Sequence, residues 1–135
     1  MKKYLTYIKK NDKVSYDTRD EGDDFLGALI ADINKILADM RNAIDNHKYI
    51  PVFRKKNLDT LAILGITWSD ALEEIYSLTS SDYDSGPEID RDRPLSDSLW
   101  VFKKNVYGSL IYIKFKIEYQ ENGDIKILSF HIDNI

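Results

Sequence analysis

The sequence predicts an α+β domain in which N-terminal helices pack on a small antiparallel sheet, and three observations lead there. Apolar residues recur at three- and four-residue steps from Phe25 to Ile44, the spacing of one helix face. After residue 98 the period changes to two, in the strand-like runs "SLWVFKKN", "LIYIKFKIEY" and "DIKILSFHID". At 135 residues the chain has the length of one domain with a single core.

Composition supports a folded chain and narrows its chemistry. With 43% hydrophobic and 31% charged residues it lies in the globular range, not the disordered one. No apolar run approaches the roughly 20 residues of a spanning helix, and "MKKYLTYIKK" lacks an apolar segment ending in small residues, so we expect a cytoplasmic protein without a membrane. The absence of cysteine removes thiolate nucleophiles and thiolate metal sites, leaving His47 and His131 as the imidazoles. The net charge of −4 argues against bulk attraction to nucleic acid. Much of that charge is local: six acids (Asp12, Asp17, Asp20, Glu21, Asp23, Asp24) stand against two bases between residues 12 and 24. From residue 98 to 132 five lysines outnumber three acids, so a basic face remains compatible with an acidic chain.

The elements follow in order. Residues 1–23 read as an acidic, loosely tied arm, and residues 24–135 as the domain. A long helix begins after a cap at Asp23 or Asp24, with Phe25, Leu26, Leu29, Ile30, Ile33, Ile36, Leu37, Met40 and Ile44 on its buried stripe. "KYIPVF" reads as a short strand that Pro51 confines to an edge or an end. "NLDTLAILG" is a short helix capped by Asn57 and stopped by Gly65. "TWSDALEEIYSLT" is a third helix, with Thr67 and Asp70 as a capping box and Leu72, Ile75, Tyr76 and Leu78 facing the core. "SGPEIDRDRP", residues 85–94, reads as a charged loop, and the three strands come after it. "QENG" joins the last two as a turn.

Alternation in that final hairpin sorts its side chains. Ile111, Ile113, Phe115 and Ile117 share one face, while Tyr112, Lys114 and Lys116 share the other. In the last strand Leu128, Phe130 and Ile132 form an apolar set, opposite Ser129, His131 and Asp133. Matching apolar set to apolar set brings Tyr112, Lys114, Ser129 and His131 onto one polar sheet face. Such a face is either an ordinary solvated surface or a site. As a site it suits RNA cleavage without a metal: a base takes the 2′-hydroxyl proton, a cation steadies the phosphorane, and an acid protonates the leaving 5′-oxygen.

Other site chemistries fit less well. Asp82, Asp84, Glu88, Asp90 and Asp92 offer oxygen ligands, yet their spacing is not that of a calcium loop and Arg91 and Arg93 repel a cation, so no metal or other cofactor is expected. "RKK", residues 54–56, is either a solvated run or a contact to a phosphate backbone.

The run "KYIPVFRKKNLDTLAILGITWSDALEEIYSLTSSDYDSGPEIDRDRP", followed by "LWVFKK", "IYIKFKI" and "ILSFH", resembles the MqsR-type toxins of bacterial type II toxin-antitoxin systems. The match covers residues 25–132 in order. It implies a RelE-like fold, endoribonuclease activity on single-stranded mRNA, and a cognate antitoxin as partner. The family's functional positions correspond to Tyr112, Lys114 and His131, the last replacing a lysine found in some members. Two positions depart: a family lysine meets Asp84 or Ser85, and a family glutamine meets Val101. We therefore expect Tyr112, Lys114 and His131 to be catalytic, and Arg91, Arg93, Lys103, Lys116 and Ser129 to contact RNA. The competing expectation is a non-catalytic protein-interaction module on the same fold, motivated by the two departures and the acidic charge.

Overall fold

The computed structural model describes residues 19–133, with side chains from residue 29 onward. Its elements run α1 (Arg19–Asp45), β1 (Tyr49–Pro51), α2 (Lys55–Leu64), α3 (Trp68–Tyr76), a 3-10 turn (Ser80–Asp82), β2 (Tyr83–Glu88), β3 (Leu99–Val106), β4 (Ser109–Ile117) and β5 (Ile125–Ile132). The class is α+β, as the sequence implies. α1 starts ahead of the anticipated cap, and residues 1–18 of the expected arm lie outside the described residues, as do the side chains of Phe25 and Leu26.

The sheet differs from expectation. Its five strands lie in the order β1-β5-β4-β3-β2, and β1 runs parallel to β5, so the sheet is mixed. One face is covered by α1 and α3: Leu29, Ile33, Leu37 and Met40 of α1 and Ala71 and Ile75 of α3 meet Phe102, Ile113, Phe115 and Phe130 in the core. Ile30, placed on the stripe by spacing, is half exposed. Tyr76 also turns outward, where its hydroxyl donates to Asp45 at 3.2 Å. The Thr67 and Asp70 capping box forms as anticipated, Asp70 N–H donating to Thr67 Oγ1 at 3.3 Å and Thr67 N–H to Asp70 Oδ2 at 3.0 Å. Gly65 ends α2 at φ 70°, a conformation glycine adopts without strain.

α2 closes an edge instead of lying on the sheet face. β1 spans only Tyr49–Pro51, opposite Ile125, Lys126 and Ile127, so the second half of β5 has no strand beside it on that side. Buried backbone groups there need other partners. Asn57 supplies them: its side chain accepts from Phe130 N–H at 3.0 Å and donates to Leu128 O at 3.1 Å and Val52 O at 2.9 Å. Thr60 Oγ1 accepts from Ile132 N–H at 2.9 Å. Asn57 is thus a buried bridge and not the helix cap, which falls on Arg54.

Two irregularities set the faces. The charged loop begins as strand: Ser85–Glu88 belong to β2, and Gly86 comes so close to β3 that an added Cβ would lie 2.8 Å from Leu99 O. In β5 the register slips by one residue, Lys114 pairing with Ser129 and Phe115 with Ile127. Leu128 is the extra residue of this bulge. It is buried but outside the core cluster, whereas Ile125 and Ile127 join Phe130 inside it.

Candidate functional site

The register puts the anticipated polar residues side by side on the sheet face opposite the core. Tyr112 lies across from His131 and Lys114 from Ser129, with Lys103 opposite Tyr112 on the other flank. The Tyr112 and His131 rings stack, centroids 5.2 Å apart and planes inclined by 19°. Together with Lys114, Ser129 and Asp133 they line a cavity of about 630 Å³. Its remaining wall is Arg54, Lys55 and Lys56 at the start of α2.

The proton positions in this group follow from its partners. His131 Nδ1 lies 3.0 Å from the carbonyl oxygen of Ile132. A carbonyl only accepts, so the ring proton of the neutral imidazole sits on Nδ1 and the Nε2 lone pair is left as a base. Tyr112 is pushed above the ordinary tyrosine range, first by burial and then by the carboxylates of Glu88, Asp84 and Asp133. At neutral pH it is a phenol with a proton to give.

Cations and acids divide the face. Lys103 pairs with Asp133 at 3.1 Å and approaches Asp84 at 3.9 Å. Lys114 has Glu88 at 4.0 Å, the outer limit of an ion pair. On the α2 side Lys55 pairs with Asp59 at 2.7 Å, while Arg54 and Lys56 make no ion pair among the described residues. Positive charge therefore gathers along α2, and negative charge along β2 and the end of β5.

Of the five residues expected at RNA, Ser129 lines the cavity, Lys103 flanks Tyr112 outside it, and three lie elsewhere. Lys116 is buried, donating to Asp90 Oδ2 at 2.9 Å and Ser96 Oγ at 3.1 Å. Arg93 pairs with Glu121 at 3.1 Å, and Arg91 is exposed on the loop; neither lines the cavity. So the loop arginines neither reach the site nor pair with Asp90 and Asp92: the loop is pinned over the far end of the face by Lys116. Asp90, which burial alone would push up, is held below its ordinary range by Lys116 and by the backbone N–H groups of Asp92 and Arg93. Among the described residues no group of three or more His, Asp or Glu side chains is arranged to hold a metal ion.

The departures at 84 and 101 take up plain positions. Asp84 faces Lys103, and Val101 is buried opposite Lys114. Arg54–Lys56, which the sequence left open between a solvated run and a phosphate contact, line the cavity. Arg54 caps α2 and Lys55 and Lys56 open it with no acid in the first turn, a placement hidden from the sequence because Asn57 read as the cap.

No family model, no curated protein and no solved structure matches the chain. Among the described residues no helix is long and apolar enough to cross a membrane.

Proposed function

We propose that this chain is an mRNA interferase of the MqsR type, a RelE-like toxin of a type II toxin-antitoxin system that acts in the cytoplasm and is neutralised by a cognate antitoxin. The observation that supports this best is the open cavity in which a stacked Tyr112 and His131 stand beside Lys114 and Ser129. Single-stranded RNA lies across the sheet face, and the reaction uses side chains alone. The 2′-hydroxyl oxygen attacks its own phosphorus while His131 Nε2 takes the hydroxyl proton. The bond from phosphorus to the 5′-oxygen breaks, and the Tyr112 phenol gives its proton to that oxygen. Lys114 balances the charge gathering on the phosphorane. The products are a 2′,3′-cyclic phosphate and a 5′-hydroxyl, and the two side chains regain their starting protonation through solvent.

The test is cleavage of end-labelled single-stranded RNA by the purified chain in the presence of a chelator. We expect cyclic-phosphate ends, with His131→Ala and Tyr112→Phe each slowing cleavage by about 100-fold or more. Intact RNA, under conditions where an unrelated interferase cuts it, would refute the reading. Induced expression gives the cellular counterpart. Growth arrest relieved by His131→Ala supports the nuclease, whereas harmless expression together with a stable protein complex favours the interaction module.

A further inference from the structure

The first turn of α2 is built against its own stability. A helix start favours an acid or a small polar cap, because its leading N–H groups are unsatisfied and its dipole is positive there. Here the cap is Arg54, which makes no side-chain capping bond, and Lys55 and Lys56 follow with no acid in the turn. Leu58 N–H is the donor that reaches back to Arg54 O, so the N–H groups of Lys55, Lys56 and Asn57 precede it without an intrahelical acceptor. Three basic side chains at the positive end of a helix repel the dipole and one another. An anion seated there would reverse the sign of that interaction.

A second observation points to the same place. Ser129 is only 4% exposed, lines the cavity, and its hydroxyl makes no hydrogen bond among the described residues. Its oxygen is not sealed from solvent but opens onto the cavity, where a hydroxyl with no protein partner is free to bond a ligand. The two features are held together by design of the chain: Asn57, in the first turn of α2, grips Leu128 O and Phe130 N–H, the backbone groups on either side of Ser129. The helix start and the hydroxyl are therefore fixed relative to each other, not brought together by flexible side chains.

We infer that the first turn of α2 and Ser129 form the subsite for the scissile phosphodiester, with Arg54 and Lys56 supplying the charge that the sequence assigned to Arg91 and Arg93. The ligand is an RNA backbone phosphate: a tetrahedral anion with several acceptor oxygens, matched by backbone N–H groups, one hydroxyl and two cations. Lys114 and His131 line the same cavity, which sets this phosphate beside the base and the phosphorane cation. This rests on the ribonuclease reading for the identity of the reaction, but not for the binding of the phosphate.

The experiment measures binding and cleavage separately on the full chain. A 2′-O-methyl oligoribonucleotide, which lacks the attacking hydroxyl, serves for fluorescence anisotropy over a series of salt concentrations. Unmodified RNA serves for cleavage. Arg54 and Lys56 are exposed, so an Arg54→Ala and Lys56→Ala double variant keeps its fold, checked by its thermal transition. We expect it to bind the methylated strand at least tenfold more weakly and to lose about 1.4 from the slope of log affinity against log salt, the value for two phosphate contacts to a single strand. An Arg91→Ala and Arg93→Ala control should stay within twofold of the wild type. Weaker binding in the α2 variant with an unchanged control sustains the subsite, even if unmodified RNA is never cut, in which case the ribonuclease reading falls alone. Binding equal to wild type in the α2 variant overturns the subsite, even if the wild-type chain cleaves RNA. Failure of the wild-type chain to bind the methylated strand at all also overturns it.

Discussion

Asn57 of α2 and Lys116 of β4 are both fully buried polar side chains, and they finish the two ends of the sheet face in opposite ways. Asn57 is neutral and spends its amide on backbone groups of β5 and the segment before α2, so the helix start is moored while the cavity beside it stays open. Lys116 is charged and spends its ammonium on Asp90 and Ser96, which draws residues 89–98 down over the face and shuts it. A neutral bridge completes hydrogen bonding at modest cost, whereas a buried ion must be matched by a counter-ion to be tolerated. At the open end Arg54 and Lys56 make no ion pair among the described residues and line the cavity, whereas Arg91, also without one, stands away from it on the loop. An anionic ligand would find room and unpaired charge together at the first end and not at the second.

Three substitutions test this contrast. The largest effect is expected from Lys116→Met, which strands Asp90 in a buried position and should cost about 3–5 kcal/mol in denaturant unfolding. It also alters the acid response. The folded protein holds Asp90 below its unfolded pKa, so the wild type enjoys that contribution in full above the unfolded value and loses it as pH falls through the folded one. In Lys116→Met the acid-induced loss should be smaller, as unfolding curves between about pH 2 and pH 6 would reveal. A variant as acid-sensitive as the wild type would show that the pair is not what fastens the loop.

Asn57→Ala comes next. It leaves Phe130 N–H and Leu128 O without side-chain partners, for a cost of about 2–4 kcal/mol. RNA affinity should fall with it, because the first turn of α2 loses its mooring; Asn57→Asp should recover less than Asn57→Gln recovers, since a carboxylate cannot donate to Leu128 O. The smallest effect belongs to Glu88→Gln. Burial is the leading reason Tyr112 lies high, and Glu88 comes second, so the phenol should move part of the way back toward its ordinary value. Phenolate absorbance, taken as a difference from Tyr112→Phe, reads that shift, and an unmoved titration would place Glu88 too far from the ring to matter.

The regular parts of the fold were legible in the sequence because they obey one period at a time. The α1 stripe from Leu29 onward apart from Ile30, the Thr67 and Asp70 box, the Gly65 stop and the alternation in β4 reappear. The misreadings share a cause, which is that a side chain's role was set by something distant along the chain. Asn57 has the composition of a helix cap, and only the absence of a strand next to Phe130 turns it into a bridge. Lys116 alternates onto the polar face as expected, and only Asp90, on a loop 26 residues away, withdraws it from solvent. The parallel pairing of β1 leaves no local mark at all. For the site, the convergence of Tyr112, Lys114, Ser129 and His131 followed from strand alternation, while the approach of Arg54–Lys56 depended on where α2 docks.

The bulge at Leu128 carries one more consequence. Before it, the odd-numbered residues Ile125 and Ile127 point to the core; after it, the even-numbered Phe130 and Ile132 do. One inserted residue thus sets the phase of the chain's last strand. The bulge absorbs that residue: Ile127 stays opposite Phe115 and Ser129 opposite Lys114, so deleting Leu128 would heal the ladder with Ser129 and His131 still on the cavity face. The site owes its existence to the bulge itself: were Leu128 to take the place opposite Lys114, Ser129 and His131 would turn to the core and Phe130 to the cavity face, with every residue of the sequence unchanged.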